Sequence, residues 1–238
     1  MAVGATDGVA GEEAVTFTYG FQIDLNTSFT GEDSFDVSID AGTSGAGTLD
    51  ELDLNSSGDQ LAVDGVSYTF PLGDKTTVFV GDNMDGSTLY STACVYGGPT
   101  NTLDDCGNAN SALAAGFGTA AGASFDIGNG FTAALGYTGD GTTEGLLTKE
   151  GTDVYGGQLT YTADSYGASV TYANVESSDD TTYWGLNGYF QPDSNFPSIS
   201  VGYELGDPTT AVDTTQWFVG LQWDEAGPGT LGAAVGTK

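Results

Sequence analysis

The stretch Val15 to Phe29 reads VTFTYGFQIDLNTSF and alternates from end to end. Val15, Phe17, Tyr19, Phe21, Ile23, Leu25, Thr27 and Phe29 fall on one side of an extended backbone; Thr16, Thr18, Gly20, Gln22, Asp24, Asn26 and Ser28 fall on the other. Successive Cβ atoms of a strand point to opposite faces, so this is a β-strand with one apolar and one wettable side. Ordinary globular strands run about five or six residues. So long a clean alternation suits a wall strand of a transmembrane barrel, with lipid against one face and water against the other.

The remaining composition agrees. A chain of 238 residues with 38 Gly, 12 Tyr and 12 Phe suits many strands joined by tight turns in one large all-β domain. No window approaches the roughly 20 consecutive apolar residues of a spanning helix, so insertion in a bilayer has to use strands, whose backbone groups are satisfied only if the sheet closes. Residues 1–14 are expected to form a flexible N-terminal segment ahead of a β-domain over 15–238. Met1 to Glu13 has neither a basic start nor an apolar core of signal-peptide type, so the chain reads as mature or as a fragment.

Charge narrows the functions. There are 33 Asp and Glu against Lys75, Lys149 and Lys238, with no Arg or His, for a formal net charge of −30. Such a surface repels phosphate backbones, which excludes nucleic acid as a partner. The absence of His removes the usual general base and the commonest zinc ligand. Two explanations of the acidity stay open: a solubility or salt adaptation of exposed surface, and selection for cations by a pore. Cys94 and Cys106 sit in one loop-like segment, Ser91 to Asn110. With two thiols and no imidazole, a disulfide in an oxidising compartment is favoured over a zinc site, and free buried thiols are the remaining alternative.

Period-two runs between Gly, Pro, Asn and Asp clusters predict about twelve strands: Thr16–Phe29, Ser34–Ala41, Gly65–Phe70, Thr76–Gly81, Ala112–Phe125, Phe131–Tyr137, Tyr155–Ala163, Tyr166–Tyr172, Thr182–Phe190, Ser198–Leu205, Thr215–Trp223 and Leu231–Val235. Short turns are expected near 30–33, 71–75, 128–130, 164–165, 191–197 and 224–230, alternating with longer loops at 42–63, 82–111, 139–153, 173–181 and 206–214. An up-and-down antiparallel barrel has this asymmetry, whereas a Greek-key sandwich does not. In that reading the first strand descends to a short turn and the last ascends from one, which puts both chain ends on the long-loop side. The count therefore predicts either a barrel lacking at least one strand at each end or a variant closing with about twelve.

Five segments in order along the chain carry a resemblance: Leu25–Glu32 (LNTSFTGE), Val66–Gly81 (VSYTFPLGDKTTVFVG), Gly128–Tyr137 (GNGFTAALGY), Trp184–Ser200 (WGLNGYFQPDSNFPSIS) and Trp217–Gly236 (WFVGLQWDEAGPGTLGAAVG). Together they resemble cyanobacterial outer-membrane porins related to the carbohydrate-selective porin B family. The resemblance implies a barrel of roughly sixteen strands behind an S-layer-homology domain, and passive uptake of small solutes and inorganic ions including iron. The wall-binding domain and the closing strands are not recognisable in this sequence, so 15–238 reads as a porin-like domain.

Taking the face opposite the apolar one as the lumen, Gln22, Asp24, Asn26, Asp36, Asp40, Gln158, Asn187, Glu204, Gln216 and Gln222 line it. A carboxylate-bearing wall without arginine concentrates cations, and its amides and hydroxyls suit neutral solutes such as sugars. Residues 82–111 form the longest loop, with Asp82, Asp85, Asp104 and Asp105 beside the cysteines. Ala114, Gly116, Gly118, Ala120 and Gly122 on the inward side of the next strand would leave room for that loop to fold inward and narrow the pore. An external loop stapled against proteolysis is the alternative. Asp82 to Ser87 resembles a calcium loop but lacks its full spacing and final Glu, so an acidic turn is expected there. Asp179 and Asp180 are adjacent in sequence, which does not make two carboxyls converge in a cleft, so no enzyme is expected. Neither a metal nor a cofactor is expected.

Tyr137, Tyr172, Trp184, Phe190, Trp217 and Trp223, with Phe17, Tyr19 and Phe29, suit interfacial girdles. The expected partners are the lipid bilayer, small hydrophilic solutes and cations, with a homotrimeric assembly in a bacterial outer membrane. The rival is a secreted acidic β-sandwich or surface-layer protein. In that case Phe17, Tyr19, Phe21 and Ile23 would lie in a dry interior between stacked layers.

Overall fold

The computed structural model of the chain describes residues 2–4, 16–43, 58–97, 106–108, 110–111, 118–140, 145–148, 151–177, 179–193 and 196–237. The strands are β1 (Ala2–Gly4), β2 (Thr16–Thr18), β3 (Gly20–Thr27), β4 (Ser34–Gly42), β5 (Ala62–Pro71), β6 (Thr76–Met84) and β7 (Gly118–Gly128). They continue as β8 (Phe131–Gly139), β9 (Asp153–Thr162), β10 (Tyr166–Glu176), β11 (Thr181–Phe190), β12 (Ser198–Pro208), β13 (Thr214–Ala226) and β14 (Gly229–Gly236). No helix occurs among the described residues.

β3 to β14 form one twelve-stranded sheet in which every strand pairs antiparallel with its neighbours in sequence. The fold is all-β and up-and-down, the strand arrangement of outer-membrane barrels. Among the described residues no ladder joins β3 to β14. The short strands β1 and β2 pair separately, Val3 opposite Phe17, so part of the segment expected to be flexible is held in a ladder. The rest of residues 1–15 lies outside the described residues.

Local chemistry sets the strand ends. The tight β7–β8 turn holds Asn129 at φ 56° and Gly130 at φ 84°, the left-handed backbone a short hairpin needs. The first strand stops at Thr27 rather than running to Phe29. Asp33 accepts from the Ser28 hydroxyl (2.5 Å), the Phe29 amide (3.0 Å), the Thr30 amide (2.8 Å) and the Thr30 hydroxyl (2.7 Å), which bends the chain into a turn. With the Tyr68 hydroxyl also donating, these bonds hold the Asp33 carboxyl well below the usual carboxylate range; the Ser28 hydroxyl contributes most.

The alternation of short and long connections is clear only in the first half. The loops expected at 173–181 and 206–214 shrink to 177–180 and 209–213 because β10 runs on to Glu176 and β12 to Pro208. Val175 opposite Thr181, and Thr181 opposite Pro208, extend the ladders past the point where the alternating pattern fades. Of the expected strand Ala112–Phe125, residues 112–117, including Ala114 and Gly116, lie outside the described residues.

Candidate functional site: a loop lodged on the polar face

The sheet is inverted relative to a water-soluble one. Along β12, Ser198, Ser200 and Glu204 are 5%, 1% and 2% exposed, while Ile199, Val201, Tyr203 and Leu205 are 39%, 45%, 40% and 44% exposed. The same inversion holds on β8–β11, where Thr138, Gln158, Thr160, Ser169, Thr171 and Asn187 are buried and Leu135, Leu159, Trp184 and Leu186 are exposed. Phe17, Phe21 and Ile23 are also exposed rather than dry between stacked layers among the described residues. Each such half-exposed side chain forfeits on the order of 1 kcal/mol of available burial in water.

What buries the polar face is the chain after β6. The Gly86 amide donates to the Thr138 hydroxyl of β8 at 2.6 Å. Thr160 of β9 donates to the Ser91 carbonyl at 2.9 Å, and Gln158 Nε2 to the Thr92 hydroxyl at 2.9 Å. The Ala93 amide donates to Ser169 of β10 (2.9 Å), the Val95 amide to Ser200 of β12 (3.0 Å) and the Gly97 amide to Gln222 of β13 (2.8 Å). The Tyr96 ring meets Phe218 of β13 edge-on, centroids 5.3 Å apart. From Gly86 to Gly97 the loop thus crosses the polar face from β8 to β13. Each bond contributes a net 0.5–1.5 kcal/mol or so, and together they hold the loop against the wall.

The disulfide between Cys94 and Cys106 ties this crossing to the returning arm. There Asn187 Nδ2 of β11 donates to the Cys106 carbonyl (3.2 Å), and Asn108 Nδ2 donates to the Tyr203 carbonyl (3.3 Å). Glu204 Oε2 accepts from the Ser111 amide and hydroxyl, both at 2.7 Å, while Oε1 accepts from Asn110 Nδ2 at 2.9 Å. Glycine makes the close approach possible. A Cβ at Gly202 would overlap the Cys106 carbonyl, and one at Gly136 would overlap the Gly86 carbonyl.

The registers place the ten predicted lining residues on this one face. Gln158, Thr171, Gly185, Glu204 and Gln216 form a continuous row across β9–β13, and Asn26 faces Asp36 as Gln22 faces Asp40. They divide into two groups. Gln158, Asn187, Glu204 and Gln222 hold the loop, and half-buried Gln216 lies beside Glu204. On β3 and β4 the polar side chains bond to one another: Asp24 accepts from Gln22 (2.7 Å) and Ser38 (2.8 Å), and Asp36 accepts from Asn26 (2.5 Å) and Ser34 (2.6 Å). Gln22, Asp24 and Asn26 are exposed, and Asp36 and Asp40 half-exposed.

Among the loop carboxylates, Asp82 is displaced from the expected position. β6 continues to Met84 through an irregularity after Gly81, so Asp82 belongs to the wall, where it accepts from the Thr119 hydroxyl at 3.1 Å. Asp85 stands at the loop's root and accepts from the Ser87 amide at 2.6 Å; burial raises its carboxyl pKa. Burial and the Asp85 charge together push the Tyr90 phenol well above its usual range. Asp104 and Asp105 lie outside the described residues.

The loop's main anchors, Thr138, Ser169, Ser200, Asn108, Ser111 and the buried ring of Phe218, are not among the residues singled out from the sequence. Small hydroxyl residues alternating with glycine on the wettable side were the available signal. They do not say which loop they bind.

No family model matches the chain, and no curated protein does. Among solved structures the chain is similar to a variant of the Rh. blastica porin at 13% identity, over 97% of this chain and 89% of that one, with a TM-score of 0.46. It is also similar to OmpT, an outer membrane protein of Vibrio cholerae in its trimer form, at 14% identity over 96% and 83% of the two chains, TM-score 0.44. A loop-deletion variant of the same protein aligns at 13% identity over 99% and 90%, TM-score 0.43.

Proposed function

We propose that the chain is an outer-membrane porin through which small hydrophilic solutes and inorganic ions diffuse passively, with a preference for cations. The observation that carries the reading is the inverted alternation of β12, buried Ser198, Ser200 and Glu204 against exposed Ile199, Val201, Tyr203 and Leu205. Such a sheet is stable with acyl chains outside and a hydrated interior, because only then are both faces matched to their solvent.

The loop lodged on the polar face narrows the passage. It covers β8–β13 and leaves the acidic side of β3–β4 as the wettable wall, where Asp24, Asp36 and Asp40 raise the local cation concentration. Neutral solutes pass along the same wall by exchanging hydrogen bonds with Gln22, Asn26 and Ser38. Outer-membrane location and a trimeric assembly belong to the same reading.

Reversal potential in a salt gradient across a planar bilayer tests it. The expected result is stepwise conductance with a potential of cation-selective sign. A protein that stays monodisperse in buffer without detergent and gives no conductance overturns the proposal.

A further inference from the structure

Glu204 is 2% exposed, yet among the described residues its carboxylate accepts from neutral donors on the loop: the Asn110 amide and side chain, and the Ser111 amide and hydroxyl. A buried carboxylate ordinarily faces a cation, and this chain has no arginine to offer one. The seat around it is shaped for the returning arm. Gly185 leaves room for Asn108 and Ser111, Gly202 leaves room for the Cys106 carbonyl, and Asn187 holds that carbonyl. Among the described residues the side-chain oxygens of Asn108 and Asn187 are buried with no donor against them, a desolvation cost that the docked arm carries and its release would relieve.

We propose that Glu204 is a masked selectivity charge: seated, the loop covers it; released, the loop uncovers a wall carboxylate that faces the passage. This rests on the porin reading above. Release does two things at once, because the same movement widens the passage and adds a negative charge to its wall. Glu204 is thus a positioning residue while the arm is docked and part of the ion-selecting wall when it is not. The disulfide passes the effect to the crossing arm, since Cys94 lies between the Ala93 and Val95 amides that bond Ser169 and Ser200.

Planar-bilayer recordings on the full chain test this with three variants: Asn110→Ala with Ser111→Ala, Glu204→Gln, and all three changes together. The loop double variant touches no strand residue, so it stays informative even if Glu204→Gln does not fold. It is expected to raise single-channel conductance and to raise the cation-to-anion permeability ratio about twofold, the scale of one added wall charge in water. With Glu204→Gln added, conductance stays high and the ratio returns to the wild-type value. An unchanged conductance in the double variant overturns the proposal, as does a ratio that rises equally without Glu204. Should the wild type itself give no conductance, the porin reading fails, and protease cleavage within 86–111 tests the seat separately. Cleavage no faster in the double variant than in wild type refutes it.

Discussion

Leu135→Arg separates a lipid-facing wall from a water-facing one. Leu135 is the fifth of nine residues in β8 and is 68% exposed. A barrel strand advances about 3.4 Å per residue and tilts about 40°, or roughly 2.6 Å per residue along the membrane normal. In a membrane-spanning wall Leu135 would therefore lie about 10 Å from either end of its strand, near the middle of an apolar band about 25 Å tall. At that depth an arginine on the lipid face costs about 2–4 kcal/mol, falling to about 0–1 kcal/mol near the interfaces. On a surface bathed in water the same change stays within about 0.5 kcal/mol of neutral. Leu72, 63% exposed in the β5–β6 turn, supplies the shallow comparison. Equilibrium unfolding of the protein folded into lipid vesicles reads both variants. Leu135→Arg should lose at least about 2 kcal/mol and Leu72→Arg no more than about 1 kcal/mol. Two variants within about 0.5 kcal/mol of each other and of wild type would refute the assignment of the exposed face to lipid.

Gly202→Val sets a side chain against the Cys106 carbonyl, so it should displace the loop and cost about 1–3 kcal/mol with the strand content by circular dichroism unchanged; wild-type stability would show that the carbonyl is not seated there. Replacing Cys94 and Cys106 with serine frees the two arms of the loop, and cleavage by added protease within 86–111 should speed up while the strands resist; identical cleavage kinetics would mean the wall bonds hold the loop unaided. Asp33 has its native pKa depressed, so its contribution is complete above the ordinary carboxylate value of about 4 and is lost as pH falls below it. Denaturant midpoints at neutral and acidic pH should accordingly drop less in Asp33→Asn than in wild type, and an equal drop would place the acid sensitivity elsewhere.

The strand inventory was legible residue by residue because a strand's two faces are set by parity alone. Phe131–Tyr137 and Thr182–Phe190 needed only to be lengthened by the ladders around them. Boundaries were less legible where a distant partner decides: Tyr68 of β5 helps Asp33 form the first turn, and Thr119 draws Asp82 into β6. The site divides in the same way. That Gln158, Asn187 and Glu204 share a polar face follows from their parity and from the pairing of successive strands. That each is taken up by a loop residue 66 to 94 positions away does not follow from anything local.

Alternation along Val15–Phe29 and its successors made the all-β class, the succession of strands and the two-sided pattern of each strand legible, since period and turn chemistry are short-range properties of a chain. The folded arrangement alone decided which carboxylates stay open and which are covered. Asp24 and Glu204 look alike in sequence, each on the wettable side of an alternating strand. One faces an uncovered wall and the other a loop returning from β6, because hydrogen bonding between segments distant in sequence depends on where the chain comes back in space.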